Sequence, residues 1–195
     1  MKKILDYIAL PLVSISFAIF LYVHFISGWM WFYLKNIMET YSYMDIMTIL
    51  AGAALIYLIL VQLVRLKIDH KRLIIAYMIY FIILGVLLFG KASDVQGVSF
   101  DTFSFVNSFA AGNLRVITLG NILMFMPIGF LLVKRSFWQT GLIAIGLVTG
   151  IEITQYILKV GFFDTGDIFL NTTGILLGFL LLRVSAHLVN RPIKK

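Results

Sequence analysis

The chain contains 195 residues, of which 61% are hydrophobic and only 13% are charged, and its mean hydropathy is +1.00. A soluble domain of this length exposes too much of its surface to hide so many apolar side chains, so the composition excludes an ordinary soluble fold. The formal net charge of +7 comes from cations at the ends of apolar runs, which is typical of membrane topology signals and argues against a nucleic-acid partner. Because the chain has no cysteine, disulfides and thiolate metal sites are excluded.

The apolar runs predict an all-α integral membrane protein, a bundle of about six transmembrane helices, since each crossing needs about 20 apolar residues. In chain order we expect spans at residues 4–26, 44–66, 73–90, 117–133, 137–158 and 168–189, in a single membrane domain over residues 1–195. The first apolar run is too long for a signal peptide, which favours a retained anchor.

The composition of residues 91–116 is not that of an ordinary loop, because it contains several phenylalanines among serine, aspartate and asparagine. The segment is too apolar to float in water and too polar to span the bilayer. It predicts an interfacial or re-entrant segment between the third and fourth spans. The alternative is a surface connector with no part in any site.

The cations alternate between the connecting segments. They occur before the first span, between the second and third, between the fourth and fifth, and after the sixth. The positive-inside rule therefore predicts a multi-pass protein of the cell membrane with both termini in the cytoplasm. The other connections, including the one between the fifth and sixth spans, are expected to face outside.

The most informative polar residues lie in the second half of the chain, at helical spacing and at similar predicted depth. A carboxylate inside an apolar span costs at least about 2.5–3.5 kcal/mol, so it usually marks an internal face or a functional site. Steps of three and four place residues on one helix face. The candidate binding residues are Arg115, Asn121, Glu152, Gln155, Asp164, Asp167 and Asn171.

Some of these residues also have an interpretation in which they only stabilise the fold. Glu152 is alternatively a protonated structural carboxyl that bonds to Asn171 or Asn121, and Asp167 is alternatively an N-cap of the last helix. The pairs Gly146/Gly150 and Gly174/Gly178 have the spacing that lets membrane helices pack closely. The three histidines are scattered along the chain, so we expect no metal site, and no motif indicates a cofactor.

At these residues the sequence resembles the VanZ-like family of small bacterial membrane proteins. The resemblance covers residues 73–190, with two additional N-terminal spans in residues 1–72. It departs from the family at residues 161–163, where the family commonly carries an arginine. The motifs that carry it are Asn121-x-x-x-Phe125-x-Pro127-x-Gly129, Glu152-x-x-Gln155 and Asp164-x-x-Asp167-x-x-x-Asn171-x-x-Gly174-x-x-x-Gly178.

The resemblance implies a role in low-level resistance to teicoplanin-type glycopeptides, which is the phenotype of the family's namesake. We therefore expect an outward-facing polar pocket that handles membrane lipids, a lipid-linked cell-wall precursor or a lipoglycopeptide. Two alternatives from other classes stay open. One is an intramembrane enzyme acting on a lipid-linked substrate, with Glu152 and Asp167 as the candidate catalytic residues. The other is a small proton-coupled transporter that uses Glu152.

Overall fold

The computed structural model describes residues 4–91, 94–110 and 115–189. The chain divides into two compact units, Met1–Ala92 and Ser93–Lys195. Five helices in the described part are long and apolar enough to cross a membrane, namely Leu5–Trp31, Met44–Arg65, His70–Phe89, Phe137–Ile157 and Thr165–His187. The protein is therefore an α-helical multi-pass membrane protein, as the sequence predicts.

The first unit begins with one long helical segment. It consists of a π-helical turn at Leu5–Ala9, α1 (Leu10–Leu21), a second π-helical turn at Tyr22–Ile26, and α2 (Ser27–Tyr33). The short α3 (Lys35–Thr40) follows, and then come α4 (Met44–Arg65) and α5 (His70–Phe89). The long helix α4 packs against α1 and against α5.

Two polar contacts tie the first helical segment to α4. The Tyr22 hydroxyl donates to the carboxylate of Asp45, and the Arg65 guanidinium pairs with Asp6. These contacts lie near opposite ends of α4. The other contacts between the two helices are mostly apolar, and apolar contacts alone do not fix how far one helix slides along the other. The two polar contacts therefore set the register of the pair. Elsewhere α4 exposes large apolar side chains such as Ile46, Leu50 and Leu63, as a lipid-facing surface requires.

The second unit contains β1 (Val95–Ser99), α6 (Ser104–Ala110), α7 (Arg115–Leu131), α8 (Phe137–Ile157), β2 (Val160–Asp164) and α9 (Thr165–Val189). Helix α7 corresponds to the predicted fourth span. Its 17 residues extend about 26 Å at 1.5 Å per residue, slightly less than the roughly 30 Å hydrocarbon core. Its apolar part, Thr118–Leu131, is shorter than the five long helices, and a membrane crossing by α7 stays a prediction.

The second unit also contains a feature that the sequence analysis did not predict. Strands β1 and β2 form a two-stranded parallel sheet, in register from Val95 opposite Val160 to Ser99 opposite Asp164. Within the segment between the third and fourth predicted spans, residues 95–99 form the strand β1 and residues 104–110 form the helix α6. Its placement as interfacial or re-entrant stays a prediction.

Backbone contact between α7 and α9 holds the core of the second unit together. A Cβ atom built on Gly129 would collide with the carbonyl oxygen of Ile175, and one on Gly178 would collide with that of Met126. The two helices can approach this closely only because glycine has no side chain. Buried apolar side chains fill the space on either side, including Phe125, Ile128, Val148, Leu170, Ile175 and Phe179.

Candidate functional site

Polar side chains from four elements come together at one end of the second unit. They lie in α7, near the end of α8, at the end of β2 and in the first turns of α9. We call this set the polar cluster, and it consists of Asn121, Glu152, Gln155, Asp164, Asp167 and Asn171. All six are among the residues that the sequence analysis singles out.

The first connection in the polar cluster joins α8 to β2. Glu152 is 1% exposed, and its Oε2 accepts a hydrogen bond of 3.3 Å from the backbone N–H of Asp164. Gln155, one turn further along α8, is 2% exposed and lies beneath the backbone of Gly161. The tight reversal that returns the chain from α8 to β2 includes Lys159, whose φ of 56° is left-handed. This reversal brings the strand back over the two buried side chains.

The second connection joins α7 to α9. The Asn121 Nδ2 donates to Asp167 Oδ1 at 2.8 Å. Close approach of the two helices makes this bond possible, because a Cβ on Gly174 would collide with the carbonyl oxygen of Ile122, the residue next to Asn121. The glycine face of α9 and its polar face are thus parts of one interface, as the spacing of these residues predicts.

The start of α9 is capped by Asp164 and not by Asp167. Asp164 Oδ1 accepts a 2.7 Å hydrogen bond from the backbone N–H of Gly166, which is the bond that an N-cap residue makes. The prediction that Asp167 is the N-cap is therefore wrong, because α9 begins three residues earlier than that prediction requires. Asp167 instead lies in the first turn, where its carboxylate is favoured by the helix dipole.

Two buried polar atoms have no hydrogen-bond partner among the residues that the structure describes. They are Asn171 Oδ1 and Thr172 Oγ1 on α9. Asn171 is only 2% exposed and lies one turn from Asp167. A buried acceptor without a donor costs about 1–3 kcal/mol, so an unpaired one in a native structure calls for an explanation. The expectation that Glu152 bonds to Asn171 or Asn121 finds no support in the hydrogen bonds of either asparagine.

The polar cluster has a partly exposed side and a buried side. Asp164 and Asp167 are partly exposed, whereas Glu152, Gln155 and Asn171 are buried. Glu152, Gln155 and Asp167 have further interaction partners besides those above. The cluster is rich in acceptor oxygens, and such a set suits a ligand that donates several hydrogen bonds, such as a polyhydroxyl or ammonium group.

The structure does not place every candidate residue in the polar cluster. Arg115 is the first residue of α7, but its side chain lies outside the part of the chain that the structure describes. Among the described residues, no group of three or more His, Asp or Glu side chains is arranged to hold a metal ion.

Two polar residues of this region were not predicted from the sequence. They are Thr118, which is buried, and Thr172, whose Oγ1 has no hydrogen-bond partner among the described residues. Threonine is common in membrane helices, so neither gave a distinct signal.

The glycine pair on α8 does not pack as its spacing suggests. A Cβ atom built on Gly146 or on Gly150 meets no atom of the described chain within 4 Å. The close-packing interpretation therefore holds for Gly174 and Gly178 and is wrong for the α8 pair. Small-xxx-small spacing permits close approach but does not require it.

Comparison with known proteins identifies one family. The family model described as VanZ/LLP1 matches residues 73–186, which include most of α5 and nearly all of the second unit. A search of curated proteins and a search of solved structures each found no match.

Proposed function

Because this chain belongs to the VanZ/LLP1 family, we propose that its polar cluster binds the polar headgroup of a lipid-anchored molecule of the cell envelope. The ligand is a lipid-linked cell-wall precursor or a lipoglycopeptide, and its capture contributes to low-level tolerance of teicoplanin-type glycopeptides. Both termini lie in the cytoplasm, and the cluster faces the outer leaflet. Arg115, at the start of α7, belongs to the same binding site.

The unpaired Asn171 carries the proposal. Its Oδ1 is buried and accepts no hydrogen bond from the described residues, and it lies one helical turn from Asp167 on α9. A ligand hydroxyl or ammonium group that donates to this oxygen would remove the desolvation penalty. The same ligand would find acceptors at Asp164 and Asp167, which are partly exposed.

The chemistry of the proposed ligand matches the surroundings of the cluster. A lipid-linked precursor or a lipoglycopeptide combines an acyl or prenyl tail with a head that bears many hydroxyl and amide donors. Apolar side chains exposed near the cluster, such as Phe162 and Phe169, suit the tail. The acceptors of the cluster suit the head. The site therefore binds a molecule that is already in the membrane.

The proposal is tested by expressing variants in a glycopeptide-susceptible bacterium and measuring teicoplanin tolerance. Glu152→Gln and Asn171→Leu keep side-chain size but change the acceptors, so we expect both to lower tolerance while membrane levels stay near those of the parent. Thr154→Val is the matched control. Thr154 lies two residues from Glu152, but it is exposed and bonds only to its own helix, at the carbonyl of Gly150.

Two results would count against the binding site. If Glu152→Gln and Asn171→Leu are present at normal membrane levels and teicoplanin tolerance is unchanged, the polar cluster has no part in the function. Conversion of a lipid-linked substrate by the purified protein, lost in Glu152→Gln and Asp167→Asn, would point to an intramembrane enzyme instead.

A further inference from the structure

We propose a second site, unrelated to the polar cluster, at which the turn between α4 and α5 binds the headgroup of an anionic phospholipid. The turn lines a cavity of about 510 Å³ within the first unit, and this cavity is open to the surface. Its polar lining is mostly basic and includes Gln62, Arg65, Lys67, His70, Lys71 and Arg72. Asp69 is the one carboxylate in the lining, so four fixed cations face one anion.

The cations differ in how they are neutralised. Arg65 pairs with Asp6, and the Arg72 Nε lies 3.4 Å from Asp69 Oδ2. In the described part of the chain, by contrast, no carboxylate lies within 4.0 Å of the Lys67 or Lys71 ammonium group. Both lysines are exposed. They leave an excess positive charge at the cavity, which a phosphate group would neutralise.

The turn is held in one conformation by its own hydrogen bonds. The backbone N–H of Lys67 donates to the Gln62 carbonyl at 3.2 Å, and that of Asp69 donates to Gln62 Oε1 at 3.1 Å. Asp69 Oδ1 in turn accepts from the backbone N–H of Lys71 at 3.0 Å. The backbone around both free lysines is therefore ordered before any ligand arrives, which lowers the entropy cost of binding.

Apolar neighbours favour a lipid as the source of the phosphate. Leu66 is 94% exposed and Ile68 is 69% exposed, and Lys67 stands between them. The turn joins the ends of two helices that are long and apolar enough to span a membrane, so it lies at the membrane surface. At the membrane surface, the side chains of Leu66 and Ile68 can contact the acyl chains while the ammonium group of Lys67 remains among the lipid headgroups. A soluble phosphate would gain nothing from Leu66 and Ile68.

The experiment measures lipid binding to the full chain in phosphatidylcholine nanodiscs by native mass spectrometry, with phosphatidylglycerol as the probe. We expect preferential retention of phosphatidylglycerol. The double variant Lys67→Gln, Lys71→Gln should weaken retention by about fivefold for each lysine removed, which corresponds to about 1 kcal/mol per cation at a membrane surface. The double variant Lys134→Gln, Arg135→Gln is the control, because it removes the same charge at two exposed positions that are not part of the cavity lining and that have no carboxylate within 4.0 Å among the described residues.

Three outcomes would overturn this proposal. One is equal loss in the control, which would indicate diffuse charge attraction. Another is unchanged retention in the Lys67, Lys71 variant when its thermal stability in phosphatidylcholine matches that of the parent. The third is soluble glycerol phosphate competing at the same concentration as phosphatidylglycerol, which would identify a free phosphate as the ligand.

Discussion

The contact between α7 and α9 makes a quantitative prediction for Gly174→Ala. A Cβ at this position would collide with the carbonyl oxygen of Ile122, and it would lie 3.0 Å and 3.1 Å from the carbonyl carbon and Cα of the same residue. All three neighbours are backbone atoms, so no side chain can rotate away. The helices would have to separate by roughly 1 Å to restore ordinary contact distances.

The expected cost follows from two opposing effects. Overpacking of a tight contact destabilises a protein by about 1–3 kcal/mol. Alanine regains up to about 1 kcal/mol of helix propensity over glycine. The net loss is therefore about 0–2 kcal/mol in the free energy of unfolding, and the difference from a glycine-to-alanine change without a clash is about 1–3 kcal/mol. The same separation would stretch the 2.8 Å bond from Asn121 to Asp167 beyond hydrogen-bond distance, so the polar cluster is damaged together with the fold.

The assay is unfolding of the purified protein in detergent, with Gly146→Ala as the matched control. Gly146 is also a glycine inside a membrane helix, but a Cβ there meets no described atom within 4 Å. Only the propensity effect remains, so this control should be neutral or more stable by up to about 1 kcal/mol. Equal stability of the two variants would refute the inference that α7 and α9 are in backbone contact.

Three further predictions concern the polar cluster and the topology. Asn171→Leu should leave the free energy of unfolding unchanged or raise it by about 1 kcal/mol, because it removes an unpaired buried acceptor; a clear loss of stability in a detergent melt would show that Asn171 is structural. Asn121→Ala should lower the free energy of unfolding by about 0.5–1.5 kcal/mol, the range for interhelical hydrogen bonds in membranes, and an unchanged melting curve would contradict the bond to Asp167. Since the chain has no cysteine, single-cysteine variants need no prior replacements, and in intact cells an impermeant thiol reagent should label Asp101→Cys but not Lys134→Cys; the reverse order would overturn the topology.

The helices could be predicted from the sequence because hydrocarbon thickness sets their length. The predicted second span, residues 44–66, differs by one residue from α4 at Met44–Arg65, and the predicted fifth, residues 137–158, differs by one from α8 at Phe137–Ile157. The sequence predicts that the polar residues of α7, α8 and α9 lie at similar depth in the membrane. Asn121 of α7 does bond to Asp167 of α9. Both inferences use distances along a helix axis, which sequence gives directly.

Predictions that depended on rotation about the helix axis, or on the path of the chain between helices, were less successful. Gly146 and Gly150 have the same spacing as Gly174 and Gly178, yet only the second pair meets a neighbouring backbone. One partner of Glu152 is the backbone N–H of Asp164 in β2, and the chain reaches it through a reversal at Lys159. Five-residue strands that pair across some 60 residues leave no periodic signal strong enough to separate them from loops.

Binding of a lipid-linked peptidoglycan precursor to the purified chain tests the central claim most directly. In phosphatidylcholine nanodiscs without phosphatidylglycerol, native mass spectrometry should show the parent retaining the precursor in preference to phosphatidylcholine. Retention should fall at least about tenfold in Asn171→Leu, the loss expected when one buried hydrogen bond to a ligand is removed. Thr154→Val should retain the precursor like the parent. Equal retention of the precursor by all three proteins would contradict the assignment of the polar cluster as the headgroup site.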